Sequence, residues 1–131
     1  EEAIELHRAA LGLRPSGHRD RSSSLHQLAL CLSDRYDSQG AVADLEEAVT
    51  LGRAALELRL PGHPDRAVSL YDLACDLRTR FQKHAQMYDL EEAIELQRAA
   101  LELRPSGHPD RSSSLHVLSL CLSDRYDSQG E

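Results

Sequence analysis

The sequence predicts an all-α fold: an α-solenoid of antiparallel helix pairs, six helices in a single domain. Three observations predict it. A 45-residue unit recurs along the 131 residues, each unit holds two stretches with apolar residues at helical spacing, and aromatic residues are only 4% with no Trp. Glu1-Glu2-Ala3-Ile4 returns as Glu46-Glu47-Ala48-Val49 and again as Glu91-Glu92-Ala93-Ile94. Segments 1–41 and 91–131 differ at six positions only: His7/Gln97, Gly12/Glu102, Arg19/Pro109, Gln27/Val117, Ala29/Ser119 and Ala41/Glu131. The units are thus 1–45, 46–90 and 91–131, with the middle copy the most divergent. A core without aromatics must be built from Leu, Ala and Val, which suits close helix packing and not a sandwich or barrel.

The helices are expected at roughly 1–13, 19–37, 44–59, 64–83, 89–103 and 109–127. The first shares its pattern with 44–59, where Leu45, Ala48, Val49, Gly52, Ala55 and Leu56 form an i, i+3, i+4, i+7 stripe. Asp44 with Glu47, and Asp89 with Glu92, have capping-box spacing, in which each side chain bonds the other residue's backbone N–H. These helices should stop before Pro15, Pro61 and Pro105. The alternate helices start after Gly-His. Pro64 fits a first helical turn, where its missing N–H costs nothing, and Asp65 suits the positive helix end. Their stripes run Leu25, Leu28, Ala29, Leu32, Tyr36; Leu70, Leu73, Ala74, Leu77, Phe81; and Leu115, Leu118, Ser119, Leu122, Tyr126. Short connections make sequential helices antiparallel neighbours, and each pair buries its face against the next.

One irregularity stands out. Ser38-Gln39-Gly40 is a stop signal in the first copy, whereas Gln82 to Tyr88 contains neither Gly nor Pro. Nothing in 82–88 forbids a continuous helix, so this link is expected to act as a hinge able to exchange halves between two chains.

Charge and cysteine usage exclude several function classes. The net charge is −7, and Lys83 is the only lysine. Nucleic-acid binding depends on cations that neutralise phosphates, and docking on an anionic membrane surface needs a basic cluster, so neither partner is expected. No apolar run approaches the length of a membrane span. Cys31, Cys75 and Cys121 are odd in number and lack CxxC spacing, which reads as free thiols in a reducing, cytoplasmic setting.

The spacings resemble the tetratricopeptide repeat. Leu25-x2-Leu28-Ala29-x2-Leu32 occupies that family's W-x2-L-G-x2-Y places, and Ala48-x3-Gly52 its A-x3-F, with His7 and Gln97 at the same point in the other copies. Pro15 and Pro105 match the terminal Pro. The family period is about 34 residues, so the longer unit here is expected to carry its extra length mainly in the link between paired helices. Long repeats of the kinesin-light-chain type have a similar Gly62-His63-Pro64-Asp65 approach to the helix, and the whole chain resembles the arrays of large fungal proteins that carry CHAT or NTPase domains. The resemblance implies a right-handed solenoid and a fragment of a longer array: a second helix, two full pairs and a first helix, with an apolar face open at each end.

The resemblance also implies a non-catalytic scaffold that holds a partner protein's peptide or helix in a concave groove lined by first helices. The groove rows would be Ser23/Val68/Ser113, His26/Tyr71/His116, Leu30/Cys75/Leu120, Ser33/Arg78/Ser123 and Asp34/Thr79/Asp124. They lack the Lys and Asn cluster that grips a carboxylate, so a segment with small apolar anchors fits better. The alternative is an architectural spacer or oligomerisation segment of a signalling protein whose CHAT protease or NTPase effector lies elsewhere. A homodimer is expected through the open end faces or by exchange at 82–88.

No enzyme site, cofactor or metal site is expected. His18, His63 and His108 recur one repeat apart, about 10 Å at the usual interaxial spacing, too far to share an ion. Asp20, Ser24 and His26 sit on one helix start and lack the convergence of a triad. There is no Gly-rich phosphate loop.

Overall fold

A computed structural model describes residues 2–15 and 17–129. Those residues form six α-helices and no strand: α1 (Glu2–Gly12), α2 (Arg21–Gln39), α3 (Val42–Leu58), α4 (Arg66–His84), α5 (Met87–Glu102) and α6 (Arg111–Ser128). The protein is an all-α helical repeat of the solenoid class.

The chain divides into two compact units, residues 1–63 and 64–131. In the first unit α2 packs against both α1 and α3. Ile4, Leu28, Leu32 and Ala48 form its buried centre, with Leu11, Cys31 and Leu51 packed around them. In the second unit α5 is central, between α4 and α6. Leu70, Leu73, Ala74 and Leu77 of α4 are buried, as are Leu90, Ala93, Ile94 and Ala100 of α5. The fully buried alanines let the helix axes approach, so the core needs no aromatic residues.

Two of the expected stripes are core and the third is not. The stripes of α2 and α4 are buried down to Leu32 and Leu77, with Tyr36 and Phe81 half-buried. On α6, Ser114, Val117 and Cys121 are buried instead. Leu115 is 46% and Tyr126 58% exposed, and no described element packs over their side of α6.

The links between paired helices are shorter than expected, and α4 does not run on through 82–88 into α5. Each link is two residues, Gly40-Ala41 and Ala85-Gln86, so the extra length of the repeat does not lie there. Both α2 and α4 end in a left-handed residue: Gly40 at φ 75° and Ala85 at φ 59°. The N–H groups of Gly40 and Ala85 donate to the Tyr36 and Phe81 carbonyls at 2.7 Å. Gly adopts this conformation without steric cost and Ala does not. The absence of a glycine at position 85 therefore strains the stop without abolishing it.

The two capping boxes do not form. The helices begin earlier, with Ala41 and Gln86 as N-caps that make no side-chain capping bond. Asp44 and Asp89 lie inside the first turns, only 6% and 1% exposed. Asp44 accepts from Arg35 Nε at 2.7 Å and Nη2 at 2.8 Å; Asp89 accepts from Arg80 Nε at 3.0 Å and Nη2 at 2.8 Å. Each pair is a planar bidentate fork closing one helical hairpin across its two-residue link. The Arg35 hydrogen bonds hold the Asp44 carboxyl below the usual carboxylate range, against the opposing effect of its desolvation. Glu47, the other expected capping partner, instead receives both Nη atoms of Arg8, at 2.8 and 3.0 Å, tying α1 to α3.

The longer connections are built by a recurring turn. Gly17, Gly62 and Gly107 have φ of 94°, 97° and 94°, which a side chain would resist. Pro64 lies before α4, not in its first turn, and Asp65 is the N-cap. His18 Nδ1 accepts the Asp20 N–H and His108 Nδ1 the Asp110 N–H, both at 3.0 Å, so these histidines shape the helix starts. Arg14 then donates to Ser24 Oγ at 2.8 Å and Arg104 to Ser114 Oγ at 3.0 Å, joining α1 to α2 and α5 to α6.

Ala85→Gly should raise the unfolding free energy by about 1 kcal/mol, because only the left-handed strain is removed. Urea denaturation checks this; an unchanged or lower midpoint would mean that Ala85 is unstrained.

Candidate partner-binding surface

The proposed groove residues fall at i, i+3, i+7, i+10 and i+11 along α2, α4 and α6, so each helix carries its row along one side. On α2, Ser23 and Asp34 are exposed, Leu30 and Ser33 half-buried, and His26 is buried at 7% exposure. His26 is therefore not presented to solvent as the register suggested.

In the second unit the α4 row is largely engaged. Arg78 Nε donates to Asp124 Oδ2 of α6 at 2.7 Å, joining two of the expected groove residues. The Arg104 guanidinium lies 5.2 Å from the Tyr71 ring centroid, a cation–π distance, and the Thr79 hydroxyl donates to the Cys75 carbonyl at 3.0 Å. Val68 is half-buried. The α6 row is more open: Ser113, His116 and Ser123 are exposed and Leu120 half-buried.

Register along the helices did not reveal a cleft between α1 and α2. It has a volume of about 280 Å³ and includes Ala3, Ile4, Cys31, Asp34 and Arg35 among its lining residues. Only Asp34 among these belongs to the expected groove.

Neither Cys75 nor Cys121 is an activated thiol. Burial pushes the Cys75 thiol up to about 12 and the Cys121 thiol up to about 11. Ser24 is buried and accepts from Arg14. Among the described residues no group of three His, Cys, Asp or Glu is placed to hold a metal ion. No described helix is long and apolar enough to cross a membrane.

The tetratricopeptide repeat model matches residues 21–65 and 66–110, and each match spans one complete helix pair, α2–α3 and α4–α5, with the turn that follows it. The chain belongs to the tetratricopeptide repeat family. No curated protein and no solved structure matches it. Tetratricopeptide repeats generally mediate protein–protein interaction and are typically non-catalytic.

The thiolate is the reactive form, so Cys75 and Cys121 should react with Ellman's reagent at pH 8 at least about a hundredfold more slowly in the folded chain than in urea. Equal rates in the two states would contradict the burial that raises their pKa values.

Proposed function

We propose that the chain is a non-catalytic interaction scaffold whose first-helix faces receive a peptide or helix of a partner protein. The observation that carries this reading is the match of two complete helix pairs to the family model. The exposed rows on α2 and α6 add small polar and apolar side chains, with no cluster of cations. Such a surface suits a segment held by small apolar anchors and backbone hydrogen bonds. Three free cysteines agree with a reducing, cytoplasmic setting. The 45-residue period and the Gly62-His63-Pro64-Asp65 turn support placement with the long repeats of the kinesin-light-chain type and of large fungal proteins with CHAT or NTPase domains.

A second reading is an architectural or oligomerisation segment of such a protein. The left-handed conformation of Ala85 favours it, since opening of the α4–α5 hairpin would let two chains exchange halves.

Groove substitutions should avoid Tyr71 and Arg78, whose side chains hold α5 and α6. His116→Ala, Ser113→Asp and Asp34→Ala change exposed side chains instead. A peptide-library screen should yield ligands whose binding falls at least about fivefold in one of these variants, while the unfolding midpoint stays put. Ligands indifferent to all three would remove the groove reading and leave the architectural one.

A further inference from the structure

A second cavity lies at the turn end of the first unit. It has a volume of about 390 Å³ and is lined by Gly17, His18, Arg19, Ser22, Leu58 and His63. All six belong to the first unit, and none belongs to the groove rows. The walls are two consecutive copies of one turn, at Gly17 and after α3, together with the start of α2. Histidines one repeat apart cannot share a metal ion, but a ligand of several atoms can touch both His18 and His63.

The chain carries a net charge of −7, yet this turn is cationic. Residues 14–21 hold Arg14, Arg19 and Arg21 against one carboxylate, Asp20. Arg14 donates to Ser24 Oγ at 2.8 Å and Arg21 to the Arg14 carbonyl at 2.7 Å, both neutral acceptors. Arg19 is exposed, and none of the three has a carboxylate partner among the described residues. Hydrogen-bond donors lie beside it. His18 Nδ1 accepts the Asp20 N–H at 3.0 Å, which sets the neutral ring's proton on Nε2. Ser22 is 6% exposed, and its oxygen takes Arg59 Nε at 3.4 Å, which leaves the hydroxyl proton for another acceptor. Leu58, 47% exposed, adds an apolar wall. Arg19 also sets this copy of the turn apart, because Pro64 and Pro109 stand at its position in the other two.

We propose that this cavity is a second peptide site, which takes a carboxylate side chain of an acidic segment while an apolar neighbour of that residue packs on Leu58. Arg19 supplies the charge, and His18 and Ser22 supply donors for the remaining lone pairs. Charge complementarity selects the class of partner: the acidic remainder of the surface repels such a segment, so its binding is confined to this turn. The site is additional to the groove, whose rows on α2 and α6 carry no cation.

Titration of an acetylated, amidated Glu-Leu-Glu-Leu peptide into the ¹⁵N-labelled chain tests the proposal. The amide signals of Gly17, His18, Arg19, Ser22 and His63 should shift, with a Kd of about 0.1–1 mM. Arg19→Pro installs the residue that the other two copies of the turn accommodate, so the fold should persist while affinity falls at least about fivefold. Leu58→Ser should weaken binding about threefold, and so should raising the ionic strength from about 0.02 to 0.2 M. A Gln-Leu-Gln-Leu peptide and inorganic phosphate should each shift these signals less at equal concentration. Equal binding by either probe overturns the proposal, as does the absence of any shift at millimolar acidic peptide. Shifts confined to the rows of α2 and α6, indifferent to Arg19→Pro, overturn it too and leave the groove reading standing.

Discussion

Each complete helix pair is held by a guanidinium and a carboxylate nine residues apart, Arg35 with Asp44 and Arg80 with Asp89. The rest of the repeat depends on that fork. It spans a two-residue link too short to fix the angle between helices alone, and it sets both donors and acceptors in one plane. With the hairpin closed, the Leu stripe of the first helix faces the Ala and Leu stripe of the second. A buried carboxylate is costly unless paired, so the same fork disfavours any other register of the two helices.

The fork recurs in both complete helix pairs. In the pairs α2–α3 and α4–α5 the fork is present and the first-helix stripe is core. On α6 Arg125 meets Glu91 at the surface, and the stripe of Leu115 to Tyr126 is open. The fork orders the two pairs in which it forms. It also bears on the link: Ala85 tolerates a left-handed conformation because the fork and the buried leucines on both sides hold the turn closed.

Much of the fold is legible in the sequence, because apolar spacing and Pro-Gly punctuation are local signals. The six helices follow from them, with ends displaced by no more than two residues. The fork is not legible in the same way. An aspartate three residues before a glutamate, at the head of an apolar run, reads equally as a capping box. Only the position of the preceding helix end, which brings Arg35 and Arg80 alongside, decides between them. Helix termination at Ala85 is hidden for a related reason: alanine favours helix locally, and the tertiary closure that overrides it is remote. In the candidate surface, register placed the rows on their helices. It did not foresee that Arg78 would engage Asp124 a repeat away, that His26 would be buried, or that α1 and α2 would enclose a cleft.

The central claim is that the Arg–Asp fork supplies stability through an ionised, buried carboxylate. The direct test is the difference in unfolding free energy between the chain and Asp44→Asn as a function of pH. Because pairing lowers the Asp44 pKa on folding, the contribution is complete above the unfolded aspartate value of about 4 and drains as pH falls through the folded value. The account predicts a gap of about 2 kcal/mol at pH 7, below the usual range for a fully buried pair because Arg35 is partly exposed, narrowing below about pH 4. A gap near zero at pH 7, or one that does not change on acidification, would contradict it.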